Sequence, residues 1–137
     1  MYRELAFQIY DQFVALGAAM NLNSAVIVGG LDMMEQANIL RKRPHIVVAT
    51  PGRLVDLLSS SHGEWNLSRI RYLVLDEADR LLSPSFASEL GVIIKELPYN
   101  KQTLLFTATM SEPILALQNR EAPNGKGKPF VHITKQE

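Results

Sequence analysis

Tyr72-Leu73-Val74-Leu75-Asp76-Glu77-Ala78-Asp79 is the stretch that decides the fold. Its first half is apolar without alternation, the pattern of a strand covered on both faces, and it stops abruptly at the carboxylates Asp76, Glu77 and Asp79. The acids are therefore expected at the carboxyl end of a buried parallel strand, the edge at which open α/β sheets bind their ligands. A carboxylate placed there can hold Mg²⁺ beside the phosphates of a nucleotide, and a second can orient or deprotonate an attacking water. Taken alone, so short a stretch is read more simply as a buried strand ending in a solvated acidic turn.

Outward from this strand, helical and strand patterns alternate. Upstream, Leu5, Ile9, Phe13 and Leu16 recur at helical spacing and give one apolar face to a helix from Arg3 to Met20. Ser24 to Val28 reads as a short buried strand closed by Gly29-Gly30. Asp32 with Glu35 opens a helix to about Lys42 as a capping-box variant, and Pro44 ends it. His45 to Ala49 is a second strand. Thr50 as a hydroxyl cap and Pro51 in the first turn then start a helix whose inner face is Leu54, Leu57 and Leu58. The free N–H groups of that helix start can also take a phosphate. Ser59 to Asn66 is a surface loop from which Trp65 plugs the core.

Downstream, Ala78 to Leu82 is a helical turn broken by Pro84, and Phe86, Leu90, Ile93, Ile94 and Leu97 give the next helix its apolar face. Thr103 to Phe106 is a fourth buried strand, and its end delivers the hydroxyls of Thr107 and Thr109. Ser111 and Pro113 start a helix to about Arg120, and the loop Ala122 to Lys128 leads into a last strand, Phe130 to Ile133. This alternation predicts a doubly wound, mostly parallel α/β sheet.

Composition narrows the function classes. The 137 residues are one domain's worth, 47% hydrophobic and without a low-complexity tract, so a real core is expected. The formal net charge of zero leaves no electrostatic footprint for nucleic acid, so any RNA contact must come from a few placed groups. With no Cys, a disulfide framework or thiolate metal site is excluded, and His45, His62 and His132 are too scattered for a metal cluster. The apolar runs are too short to cross a bilayer, and the start lacks the apolar core of a secretory signal. An intracellular chain with no membrane partner is expected.

Asp76-Glu77-Ala78-Asp79 spells the four letters after which the DEAD-box RNA helicases are named, and further stretches resemble that family's motifs in its order. They are Arg3-Glu4-Leu5-Ala6, Gly29-Gly30, Thr50-Pro51-Gly52-Arg53 and Thr107-Ala108-Thr109. The wording of Ile27 to Met33 and of Gln102 to Phe106 is most similar to the nucleolar branch that serves small ribosomal subunit assembly. The resemblance implies a RecA-like lobe of the P-loop NTPase class, with ATP and Mg²⁺ as cofactors and RNA as partner. It further implies location in the nucleus and nucleolus and contact with pre-ribosomal proteins.

By the same resemblance, Asp76 organises Mg²⁺ and Glu77 activates the water that attacks the γ-phosphate. Asp79, Thr107 and Thr109 couple the acidic motif to strand separation; Thr107 stands where the family has serine and keeps the hydroxyl. Arg3, Gly29, Gly30, Thr50, Gly52 and Arg53 fall in motifs that line or support the track for the RNA sugar-phosphate backbone. Such contacts position a strand and carry little sequence information.

Two departures shape the expectation. The family's first RNA motif begins with Pro-Thr, whereas this chain begins Met1-Tyr2, so a phosphate-contacting threonine and the strand before it are missing. Nor is there a G-x-x-x-x-G-K-[ST] loop: Gly125-Lys126-Gly127-Lys128 is followed by Pro129 and leads into a strand. Residues 1–137 are thus expected to be part of a first RecA-like lobe without its phosphate-loop strand or the second lobe, inactive alone and prone to aggregate. A hole or a repaired sheet is expected between the strand Thr103 to Phe106 and the strand Phe130 to Ile133. The readings open at this point are part of an ATP-dependent RNA-unwinding enzyme, a short RNA- or protein-binding form without ATPase, and an unrelated α/β domain. The ordered motifs disfavour the last.

Overall fold

Each apolar run ends at a residue that stops its element, and the computed structural model, which describes residues 2–118, follows that punctuation closely. Helix α1 (Tyr2–Gly17) runs into a short 3₁₀ turn, Ala18–Met20, which Asn21 closes in the left-handed conformation that asparagine tolerates. Strand β1 (Ser24–Ile27) leads to α2 (Met33–Arg41), whose N-cap Asp32 accepts the Glu35 backbone N–H at 2.9 Å. Strand β2 (Ile46–Ala49) is followed by α3 (Pro51–Ser60) with proline in its first turn. Strand β3 (Tyr72–Asp76), the single turn α4 (Ala78–Leu81), α5 (Ala87–Glu96), β4 (Gln102–Phe106) and α6 (Glu112–Gln118) complete the described chain.

All strand pairing among the described residues is parallel, as the alternation predicts, and the architecture is the RecA-like α/β lobe that the resemblance implied. The strands do not join into one sheet. β1 pairs with β2, Ser24 opposite Ile46 through Ile27 opposite Ala49, and β3 pairs with β4, Tyr72 opposite Gln102 through Asp76 opposite Phe106. No ladder connects β2 to β3 among the described residues. Among the described residues a discontinuity thus lies between the two pairs. The strand expected at Phe130 to Ile133, like the helix end near Arg120, lies outside the described residues.

Side chains from α5 hold the two pairs together. Ile93 joins a core of Ile27, Leu40, Leu54, Leu57, Trp65 and Leu67, so Trp65 plugs the interior as its position suggested. Leu90, one helical turn earlier, joins a second core of Leu75, Ala78 and Ile114. Burying one such leucine or isoleucine contributes roughly 1.5–3 kcal/mol, so one helix serving both cores is a strong tie.

Two expectations about faces are corrected. Among the described residues β3 is covered on one face only: Leu75 is 3% exposed and packs with Leu73 and Leu105 under α4, α5 and α6. On its other face Tyr72 and Val74 are 64% and 50% exposed, and Phe106, opposite Asp76, is 57% exposed. The unbroken apolar run fits a two-sided environment of which the described residues supply one side. Likewise α1 packs on β1 and β2 through its first half, with Ala6 buried, while Phe13 and Leu16 are exposed because the helix outruns the four-residue strands beneath it. No helix among the described residues is long and apolar enough to cross a membrane.

These burials set unequal costs. Leu57→Ala, at a side chain 1% exposed, is expected to lower the unfolding free energy by about 2–5 kcal/mol, whereas Leu16→Ala should change it by less than about 0.5 kcal/mol. Urea titration followed by Trp65 fluorescence measures both.

Candidate functional site at the carboxyl ends of the strands

Parallel pairing brings the carboxyl ends of paired strands to one edge, so each pair presents two loops side by side. At the end of β3, Asp76 is exposed, and its Oδ1 accepts the Glu77 N–H at 3.0 Å. Glu77 then takes φ 52° and ψ 50°, a left-handed turn that costs a non-glycine residue about 1–2 kcal/mol. The turn drives Ala78, 0% exposed, under the sheet and leaves the Glu77 side chain at the surface. Strain of this kind is concentrated at functional turns.

The hydroxyls after β4 close onto these acids. Thr109 Oγ1 donates to Asp79 Oδ2 at 3.1 Å, joining residues 30 positions apart in the chain. Thr107 Oγ1 donates to the Thr109 carbonyl at 2.8 Å and accepts the Thr109 N–H at 3.3 Å, so it braces the loop that presents Thr109. The other Asp79 oxygen, Oδ1, accepts the Arg80 N–H at 3.1 Å, and the Arg80 guanidinium lies 3.4 Å from the Glu77 carboxylate. Both partners of that ion pair are about half exposed, so it orients Glu77 more than it stabilises the fold. A cleft of about 480 Å³ opens between this turn and the start of α1, lined by Tyr2, Leu5, Gln8, Glu77 and Arg80 among others.

At the ends of β1 and β2 a second group of candidates meets. Gly30 has φ +82°, a left-handed backbone that favours glycine, and a Cβ on it would stand 2.7 Å from Nη1 at the flexible end of the Arg3 side chain. Arg3 also lies over the Phe7 ring, 5.9 Å from its centroid. Thr50 caps α3 by position, with its N–H donating to the Ile27 carbonyl at 3.0 Å. Its hydroxyl makes no capping hydrogen bond, which corrects the expected cap and leaves the N–H groups of the first turn without that side-chain partner. Gly52 is exposed, and a Cβ there would meet nothing within 4 Å.

Arg53, grouped with motifs that line or support the track, turns toward the protein. Its Nη1 donates inward to the Leu31 carbonyl at 2.8 Å and to Oε1 of Gln36 at 3.0 Å. Gln36, absent from the sequence reading, is 3% exposed and donates from Nε2 to the Val28 carbonyl at 2.9 Å. Its signal was a polar residue on the inner stripe of α2, three positions after Met33 and four before Leu40.

The residues fit a shared metal, not a private one. Among the described residues no group of His, Cys, Asp or Glu could hold a metal ion alone. One hard carboxylate at a strand end suits Mg²⁺, which keeps most of its water and takes further oxygens from phosphates, and Asp76 is an exposed carboxylate so placed.

Residues 2–117 match the family model for the DEAD/DEAH box helicase. The chain belongs to this family. It is 52% identical over 134 residues to the ATP-dependent RNA helicase DBP8 of Meyerozyma guilliermondii, covering 95% of this chain and 31% of that protein. It is 55% identical over 128 residues to dbp8 of Schizosaccharomyces pombe, covering 90% and 28%. To the probable ATP-dependent RNA helicase DDX47 of Homo sapiens it is 50% identical over 122 residues, covering 89% and 27%. The chain thus spans between 25% and 31% of the length of these and similar relatives. DEAD-box helicases as a family use ATP and Mg²⁺ and bind RNA.

Two substitutions test this geometry. Thr109→Val should cost about 1 kcal/mol by removing the bond to Asp79, and Thr109→Ser should restore it. Gly30→Ala should cost about 1 kcal/mol, since the left-handed φ opposes a Cβ while the Arg3 guanidinium can move aside. Denaturant titration of each variant measures the change.

Proposed function

We propose that residues 1–137 form part of the first RecA-like lobe of an ATP-dependent RNA helicase, in which RNA-stimulated ATP hydrolysis drives unwinding of an RNA duplex. The observation that carries the reading is the Thr109–Asp79 hydrogen bond, which ties the loop after β4 to the acidic turn after β3. Glu77 is the group that accepts a proton from the attacking water, and Arg80 orients its carboxylate. Asp76 would hold Mg²⁺ together with ATP, and the metal would neutralise charge that develops on the phosphates. Asp79, with Thr107 and Thr109, transmits the state of the acidic turn to the neighbouring loop. Arg3, Gly29, Gly30, Thr50 and Gly52 receive the RNA backbone, and Arg53 supports that track from beneath.

The sequence contains no phosphate-cradling G-x-x-x-x-G-K-[ST] motif, and positioning of the γ-phosphate dominates phosphoryl transfer. These residues alone are therefore not expected to hydrolyse ATP. A second reading of these residues is a non-catalytic form that binds RNA or protein. The similarity in wording to the nucleolar branch supports a role in ribosome biogenesis, with residence in the nucleolus and contact with pre-ribosomal proteins. Colocalisation of the tagged protein with a nucleolar marker tests that part.

Two experiments separate the readings. The isolated chain should release no phosphate from ATP with or without RNA. A protein in which it is joined to the remaining segments found in its relatives should show RNA-stimulated release that Glu77→Gln lowers by at least about 100-fold. Equal release by the Glu77→Gln variant would overturn the assignment. For the RNA track, Gly52→Ala should leave the fold as stable or slightly more so, since it lies in a helix with open space around it. It should still weaken RNA binding, because the added methyl stands where the backbone approaches; fluorescence anisotropy with a labelled oligonucleotide reads the loss.

A further inference from the structure

We infer that Gln36 is a positioning residue that locks the Gly29-Gly30 turn to Arg53, so that the loops after β1 and β2 meet an RNA backbone as one rigid surface. The inference rests on the proposed RNA track. Gln36 is the one buried polar side chain among the described residues, and its amide is committed at both ends. Nε2 holds the Val28 carbonyl at the last residue before the glycines, and Oε1 receives Nη1 of Arg53 from the first turn of α3. The same Arg53 nitrogen also donates to the Leu31 carbonyl, on the far side of those glycines. The turn is therefore clasped at Val28 and at Leu31 by a single Gln36–Arg53 couple.

Such a couple explains why an amide, and not an acid or an apolar group, occupies this place on α2. A glutamate would set two acceptors against each other at Val28, and an apolar side chain would leave the buried carbonyl and one guanidinium N–H unpaired, a penalty paid only by buried groups. Glycines give the turn its shape but no rigidity of their own, because their backbone wells are shallow. The clasp supplies the stiffness. The Arg53 side chain makes no other hydrogen bond among the described residues, so its remaining guanidinium N–H groups are held at a fixed angle behind the track.

The test is a double-mutant cycle on the full chain, with affinity for a labelled single-stranded oligouridylate read by fluorescence anisotropy at low salt. Gln36→Met and Arg53→Ala should each weaken binding about fivefold, and the double variant should bind no more weakly than Arg53→Ala alone. Gln36→Met combined with Arg3→Ala should instead show the product of the two single losses, since Arg3 reaches the turn independently. Should Gln36→Met unfold the chain, Gln36→Glu serves in its place: it keeps the acceptor for Arg53, loses the donor to Val28, and should show a smaller loss with the same dependence on Arg53. Wild-type binding with a Gln36→Met loss that multiplies with that of Arg53→Ala, or with no loss at all, overturns the clasp. Failure of the wild-type chain to bind, or indifference of binding to both Arg3→Ala and Gly52→Ala, overturns the RNA track itself.

Discussion

The parallel register of paired strands is the constraint from which the site follows. Because Asp76 stands opposite Phe106, the residues just beyond each must emerge at the same edge, and Asp79 and Thr109 come within hydrogen-bonding distance. Because Ile27 stands opposite Ala49, the glycine turn and the start of α3 emerge together in the same way. Neither group of candidates is held by one element. Shifting either ladder by one residue would reverse the faces of the strand and separate the loops.

The architecture also divides the labour between its two halves. The β3–β4 half carries carboxylates and hydroxyls in a strained, hydrogen-bonded turn, suited to handling water and a metal beside phosphates. The β1–β2 half carries glycines, a helix start without a side-chain cap and guanidinium groups, suited to an extended anionic strand. Helix α5 is the mechanical link, since Ile93 and Leu90 seat it in both cores. With no ladder from β2 to β3, a change at the acidic turn can reach the glycine turn among the described residues only through packed side chains. The apolar face of Tyr72, Val74 and Phe106 shows that the β3–β4 half is built for more covering than the described residues provide.

Much of this was legible in the sequence because helices and strands announce themselves by period. The capped start of α2, the proline at the start of α3, the strand ending at Asp76 and the burial of Trp65 all rest on local rules that the tertiary structure did not override. Pairing is another matter: Ile46–Ala49 and Tyr72–Asp76 both read as buried strands, yet nothing in either sequence says that they are not neighbours. The open face of β3 escaped for a related reason, since an apolar run records what a strand needs and not which residues meet the need. Thr50 had the right group for a cap, but whether a hydroxyl turns inward depends on its rotamer. Gln36 was missed because a single glutamine in a helix is ordinarily a solvated one; only its place on the stripe between Met33 and Leu40 marked it.

Hydrogen–deuterium exchange of the full chain, with and without an excess of single-stranded RNA at low salt, tests most directly whether the carboxyl edge of β1 and β2 is the RNA surface. Protection is expected at the amides from Gly29 to Leu31 and in the first turn of α3, with no change in the loop from His62 to Ser68. Protection confined to that loop and to the amino ends of β2 and β3, or absent despite measurable binding, would contradict the placement of the track.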